Sequence, residues 1–453
     1  MANDSEQRSS DAGPLTPKSE LDRLLSIFTD VRAGEGGSAL LLALNILLIL
    51  AAYYLLRNVR QTLILTEDAP FGWTGAQFAA YAAAGQALSL FFVVPLYGWL
   101  ASRVSRIPLI ASTTAFFVVN LAIFFVAGQA GARVGGVFYV WLGVYNVFVI
   151  AQFWSFANDL YTEEQGKRLF PLIGVGQSAG ALVGALIIFP LVLRFQFTPY
   201  TLMLLAGAVL FVALGLTVVV NRREVARARP DAANVNAEPL GKEGGFELVL
   251  KDRYLTWIAV LIILLNVVNT TGGFLLNSLV ESRAAEAVDE VTRQQIVSLF
   301  FGGFDTAVSL LGLVIQLFVV SRVFKYMGIR GALFILPVIA LANYAMIAVI
   351  PVLAVVRVGK ILENSTDYSI QNTIRHALFL PTSREAKYKA KAAIDTFCTR
   401  LGDVLQALLV FGGTTIGLTV AGFAWVNVAL TGVWLLVARE IAKEHRRRTD
   451  ETS

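Results

Sequence analysis

Cysteine, histidine and charge are all scarce in this 453-residue sequence. A single cysteine, Cys398, excludes an intrachain disulfide framework. Two histidines, His376 and His445, leave no His/Cys cluster at metal-ligand spacing, so no metal and no cofactor are expected. A phosphate loop of the form G-x-x-x-x-G-K-[ST] is missing, which argues against primary ATP-driven pumping. Gly176-Gln-Ser-Ala-Gly180 fits the nucleophile-elbow pattern, but that elbow follows a strand, whereas this pentapeptide lies in an apolar helical run. Enzymatic chemistry is therefore not expected. The polar stretch from Met1 to Gly37 lacks the apolar core of a cleavable signal.

Charged residues make up only 15% of the chain and hydrophobic ones 56%, which describes a polytopic membrane protein. Apolar runs long enough to cross a hydrocarbon core of about 30 Å number twelve, near 38–63, 75–100, 107–128, 134–157, 170–193, 199–221, 254–280, 296–321, 331–350, 352–379, 391–417 and 419–438. The tenth is the most polar. Cytoplasmic loops retain Lys and Arg, and on this map 27 of the 37 fall on one side, four on the other and six inside runs. Both termini are thus expected in the cytoplasm, in a bacterial inner membrane. The net charge of +5 follows from that topology and does not call for nucleic acid.

A charged segment, 222–253, divides the runs six and six: a tail 1–37, a half 38–221, the linker, a half 254–438 and a basic tail 439–453. Within the first tail, Ser19-Glu-Leu-Asp-Arg-Leu-Leu-Ser-Ile-Phe28 reads as a capped amphipathic helix on the inner surface. Ser102-Arg-Val104 recurs as Ser321-Arg-Val323, a shift of 219, and Thr162-Glu-Glu-Gln-Gly-Lys167 recurs as Thr382-Ser-Arg-Glu-Ala-Lys387, a shift of 220. Two matches at nearly one offset indicate an internal repeat. The expected fold is all-α, twelve transmembrane helices in two six-helix halves, the major facilitator arrangement, with its site between the halves.

Ionisable groups in hydrocarbon need a partner, water or a substrate. In the tenth run Arg357, Lys360, Asn364, Asp367 and Gln371 follow steps of 3, 4, 3 and 4, with Glu363 beside them. Tyr53, Arg57 and Arg60 share a face of the first run. Tyr145, Gln152, Ser155 and Asp159 share one in the fourth, beside Asn158, and Asn266, Asn269, Gly273 and Asn277 share one in the seventh. A wet cavity between these helices would receive all four faces. Other readings stay open: Arg57 and Arg60 snorkelling to an interface, an ion pair of Arg357 or Lys360 with Glu363 or Asp367, and Lys387, Lys389 and Lys391 serving as topology signals. Gly176, Gly180 and Gly184 have the small-xxx-small spacing of a close helix contact.

Several segments resemble the ATP/ADP antiporter family, and the likeness runs from Ala39 to about Leu436. They are Phe153-Trp-Ser-Phe-Ala-Asn-Asp159, Gly166-Lys-Arg-Leu-Phe-Pro-Leu-Ile-Gly174, Lys389-Ala-Lys-Ala-Ala-Ile-Asp395 and Leu55-Leu-Arg-Asn-Val-Arg-Gln-Thr-Leu63. In the last of these the family's usual Lys-Asp is Arg60-Gln61 here. The family's membrane-embedded glutamates fall on Asn269 and on Leu142 to Tyr145, where no acid stands. The resemblance implies nucleotide exchange, with the phosphate-binding cations kept and the carboxylates lost.

A polyanion at mid-membrane also needs cations whose forks match phosphate oxygens. Arg57, Arg60, Arg357, Lys360, Lys391 and Arg400 are the candidates. Tyr145, Gln152, Asn158, Asn269 and Asn364 would contact base or sugar, and Asp159, Asp305, Glu363, Asp367 and Asp395 would gate or couple ions. The expected partners are a small anionic solute and the lipid bilayer; oligomeric state is not legible. A proton-coupled carrier of another solute, and a non-transporting ligand sensor, are the competing functions.

Overall fold

The computed structural model describes residues 31–32, 34–101, 103–161, 163–225, 245–383, 386 and 390–451, with Glu20 and Arg23. The amphipathic segment 19–28 otherwise lies outside the described residues, as do most of the linker and Lys387 and Lys389. Lipid offers backbone groups no hydrogen-bonding partner, so apolar runs of this length satisfy their own as helices.

Leaving aside the short helices Ile188–Leu193 and Gly245–Lys251, the helices in chain order are α1 (Gly36–Thr66), α2 (Gly75–Ala101), α3 (Arg106–Gln129), α4 (Gly135–Leu160), α5 (Glu163–Leu186), α6 (Pro199–Val225) and α7 (Arg253–Ala284). Next, α8 runs Glu290–Val314, through a π turn at Ile315–Val319, into Val320–Ala332. After α9 (Ile335–Val349), α10 runs Leu353–Thr366, a π turn at Asp367–Gln371, then Asn372–Ala377. Helix α11 runs Lys391–Ala393, a π turn at Ile394–Cys398, then Thr399–Thr415, and α12 spans Val420–Glu451. Among the described residues nine helices are long and apolar enough to cross a membrane, and Ile335–Val349 is a shorter apolar one. In α10 and α11 the π turns divide the helical stretch.

Two hydrophobic cores organise the chain. One gathers residues from Val31 to Val220. The other gathers residues from Val249 to Ile441 together with Ile64, Leu65, Ala76, Ala79 and Ala80, at the ends of α1 and α2. The two sets of helices meet where α1 and α5 pack on α8, and where α2 packs on α7 and α11. Around them Phe92, Phe211, Phe411 and Leu436 stay exposed, an apolar sheath that suits lipid and not water.

The glycine stripe is a close contact, as its spacing predicts. A Cβ at Gly176, Gly180 or Gly184 would overlap the carbonyl oxygens of Ala43, Leu47 and Ala51, one after another along α1. This backbone-to-backbone approach fixes α5 against α1, and hence fixes the wall from which Arg57 and Arg60 project. Gly176-Gln-Ser-Ala-Gly180 lies wholly within α5.

Candidate functional site

Between the two cores lies a cavity of about 360 Å³. Helix α1 supplies Arg57, Arg60 and Gln61, and α4 supplies Tyr139. Its other wall has Asn266, Asn269, Thr270 and Asn277 from α7, Lys360, Asn364, Asp367, Tyr368 and Arg375 from α10, and Thr399 and Gln406 from α11. Polar side chains spaced for one helical face in α1, α7 and α10 thus do converge.

The four lining cations differ in how far they are already engaged. Arg57 Nη2 lies 3.2 Å from Asp305 Oδ1 on α8, across the interface between the cores. Lys360 is buried and each of its three N–H groups has an acceptor: Asn269 Oδ1 at 2.6 Å, Glu363 Oε1 at 2.9 Å and the Asn269 carbonyl at 3.1 Å. Glu363 in turn accepts from Tyr344 at 2.9 and 3.0 Å and from Asn343 at 3.3 Å. Arg375 Nη2 is 3.1 Å from Asp395 Oδ1, whose other oxygen takes Lys391 Nζ at 2.8 Å. Arg60 is different: its guanidinium lies over the Tyr139 ring at 4.4 Å, and its buried Nε has no partner. Among the described residues no carboxylate pairs with Arg60.

Asp367 holds the Asn269 Nδ2 at 3.3 Å. Asp367, Tyr368 and Arg375 also line a second cavity of about 530 Å³, reached from Tyr54, Gln177, Ser178, Gln316 and Asn372. These three residues are therefore a shared wall between two chambers. Beside the first chamber the two sets of helices are pinned together. Asn58 Nδ2 donates to the Ser298 carbonyl at 2.8 Å, and Ser298 Oγ returns a bond to Asn58 Oδ1 at 2.5 Å. Glu281 on α7 accepts the N–H groups of Gly75 and Ala76 at the start of α2, at 2.7 and 2.9 Å. A carboxylate on a helix N-terminus has both its donors and its dipole as partners.

Outside the spans, two carboxyls titrate in opposite senses. Burial pushes Glu35 up, but the Arg168 fork at 2.9 and 3.0 Å, with the Arg32 N–H and Gln165, outweighs it and holds the carboxyl below its ordinary value. At Glu67 burial prevails over bonds from the Gly135 N–H and Tyr200, and the carboxyl is raised.

Not every residue singled out by spacing reaches the central chamber. Tyr145 and Gln152 line a separate small pocket enclosed with Ile49, Phe117, Leu210 and Thr217, inside the first core. Helix α4 is in contact on two sides, and periodicity marks a polar face without naming the neighbour it meets. Asn158 is exposed, and the side chain of Asp159 lies outside the described residues. Arg357 stacks over Phe300 at 5.0 Å. Arg400 pairs with Asp403 at 3.0 Å, while Lys391, Asp305, Glu363 and Asp395 stand behind the lining as partners of other groups. Gln371 is fully buried, with both amide atoms unpartnered among the described residues.

Arg375, Tyr139, Gln61, Thr270 and Gln406 line the cavity without having been singled out. Arg375 was within reach of sequence reasoning, since it continues the α10 stripe four residues past Gln371. Among the described residues no group of three His, Cys, Asp or Glu side chains is placed to hold a metal ion.

A family model described as TLC ATP/ADP transporter matches residues 136–445. ADP,ATP carrier protein 1 of Chlamydia pneumoniae is 25% identical over 334 residues, 66% of this chain and 64% of that protein. The chloroplastic ADP,ATP carrier protein 2 of Arabidopsis thaliana is 24% identical over 330 residues, 65% of this chain and 52% of that protein. The chain thus spans less than two thirds of the length of these relatives. Among solved structures, an auto-inhibited POT family peptide transporter matches with a TM-score of 0.63 at 14% identity, over 91% of this chain and 97% of that one. That likeness concerns the fold alone, which is major facilitator-like.

Proposed function

The chain belongs to the TLC ATP/ADP transporter family, and on that premise we propose that it is a secondary transporter of a nucleotide or related organic phosphate, working by exchange through alternating access. The observation that carries this reading is a chamber walled by both cores and lined by Arg57, Arg60 and Arg375, at a depth where a cation without a partner or a solute would be costly. The ties at Asn58–Ser298 and Glu281–Gly75, on one side of that chamber, are what one closed gate would consist of. Exchange follows physically because a bound anion lowers the cost of turning a cationic chamber through the membrane.

With this reading go two six-helix halves, 38–221 and 254–438, joined by the linker 222–253, in a bacterial inner membrane with both termini in the cytoplasm. A cysteine placed in the linker tests the orientation: an impermeant thiol reagent should reach it only from the cytoplasmic side. Proteoliposomes test the function. Labelled nucleotide should enter vesicles preloaded with unlabelled nucleotide and not empty ones; entry of no organic phosphate under either condition overturns the reading.

One observation favours proton coupling. Asp367, in the wall shared by both chambers, has an amide partner and no ion pair among the described residues. Accumulation driven by an acid exterior and lost in Asp367→Asn would select that mechanism.

A further inference from the structure

We propose that the central chamber selects a nucleotide-class anion bearing no more than two negative charges, a nucleoside monophosphate, and that Arg60 is the residue that takes its phosphate. The proposal rests on the transport reading above and narrows its substrate.

Arg57, Lys360 and Arg375 each already hold a carboxylate, at 3.2, 2.9 and 3.1 Å. Lys360 has no N–H left to give, because its three acceptors are all within 3.1 Å. Asp367 adds a negative charge to the same lining. The four lining cations, with Lys391 on the second oxygen of Asp395, therefore face four carboxylates, Asp305, Glu363, Asp395 and Asp367, and the chamber holds one net positive charge before any solute enters. A family carrier of di- or triphosphates needs a clear excess of positive charge, since every additional phosphate brings at least one more anionic charge into a low-dielectric space. Here that excess is a single charge.

Arg60 is the lining cation left available. Among the described residues it forms no ion pair, only the longer-range attraction of Asp305, its ring contact with Tyr139 leaves the fork edge uncommitted, and its buried Nε lacks a partner. A planar fork grips one phosphate bidentately. Gln61 and Asn364 also line this chamber, and among the described residues Gln61 Oε1 and Asn364 Oδ1 are buried without partners. With a small turn of each side chain into the chamber, these two unmet acceptors would meet donors that the ribose hydroxyls and the exocyclic amino group of a base supply. A cavity of about 360 Å³ sits at the small end of the roughly 300–1,000 Å³ common for small-molecule pockets.

The test uses the full-length protein in nanodiscs, titrated by calorimetry with AMP, ADP, ATP, adenosine and inorganic phosphate. AMP should bind at least about tenfold more tightly than ADP, and ATP more weakly still, given one uncompensated buried charge per added phosphate. Arg60→Gln should bring AMP down by about one to two orders of magnitude, to the level of adenosine, whose own binding should be unchanged and so reports a folded protein. Arg60→Lys should recover part of the AMP affinity. Asp367→Asn, which removes a negative charge from the lining, should shift preference toward ADP. If ADP or ATP binds the wild type as tightly as AMP, the charge limit is wrong while nucleotide transport stands. If none of the five binds and none exchanges in proteoliposomes, the transport reading falls with it.

Discussion

Glu281 accepts the backbone N–H of Gly75 at 2.7 Å, so a carboxylate from the second set of helices caps a helix of the first set. Its second oxygen takes the Ala76 N–H at 2.9 Å, which leaves the first turn of α2 with this partner only while the two sets of helices are together here.

Glu281→Ala should loosen that side. Losing a charge-assisted contact costs about 1.5–3 kcal/mol, enough to move a two-state population by roughly one to two orders of magnitude. Spin labels at the starts of α2 and α8 should report a longer distance in the variant, and an unchanged distance distribution would remove Glu281 from any gating role.

Lys360 and Glu363 form a pair 2.9 Å apart in which both partners are about 2% exposed. Lys360→Met leaves the Glu363 carboxylate buried beside Tyr344 and should destabilise by about 3–5 kcal/mol. The double variant Lys360→Met with Glu363→Met removes the orphan charge and should melt above the single one. Equal melting temperatures would mean that the pair is not coupled.

Glu35 gives stability a defined pH dependence. Its folded-state value lies below the ordinary 4.5, so its contribution is complete above that value and is lost as pH falls toward its own lower one. Glu67, raised by burial, works with opposite sign: its share is present at low pH and fades as pH climbs through its folded value. Melting temperature followed from pH 7 downward should therefore fall less steeply in Glu35→Gln than in the wild type, and less steeply in the wild type than in Glu67→Gln.

At Gly180 any side chain meets the Leu47 carbonyl, so Gly180→Val should force α5 off α1 and cost about 1–3 kcal/mol or more. Gly174→Ala, where a Cβ meets nothing within 4 Å, is the control. Thermal unfolding of the two, side by side, checks whether the glycines are there for proximity.

The sequence made parts of this site readable and concealed others for physical reasons. Lys360, Asn364 and Asp367 fall where their 4-and-3 spacing predicts a common face, because that part of α10 is regular until Thr366. The π turn at Asp367–Gln371 then adds a residue to the turn, and the face beyond it belongs to Arg375 instead of Gln371. No propensity marks such a turn in advance. Pairing was equally hidden: the spacing that collects cations into a chamber does not say that Asp305 and Asp395, on other helices, are already paired with Arg57 and Arg375.

The surplus residue in that π turn has a mechanical consequence. In a uniform α-helix each residue advances the azimuth by about 100°, so passing the extra residue one place along α10 would rotate the segment it crosses by about that angle while both helix ends stay anchored. Asp367 and Tyr368 lie within the turn itself, in the partition between the chambers. A side chain there can swing from one compartment to the other as a bearing turns in a fixed shaft, without the helix bending or breaking.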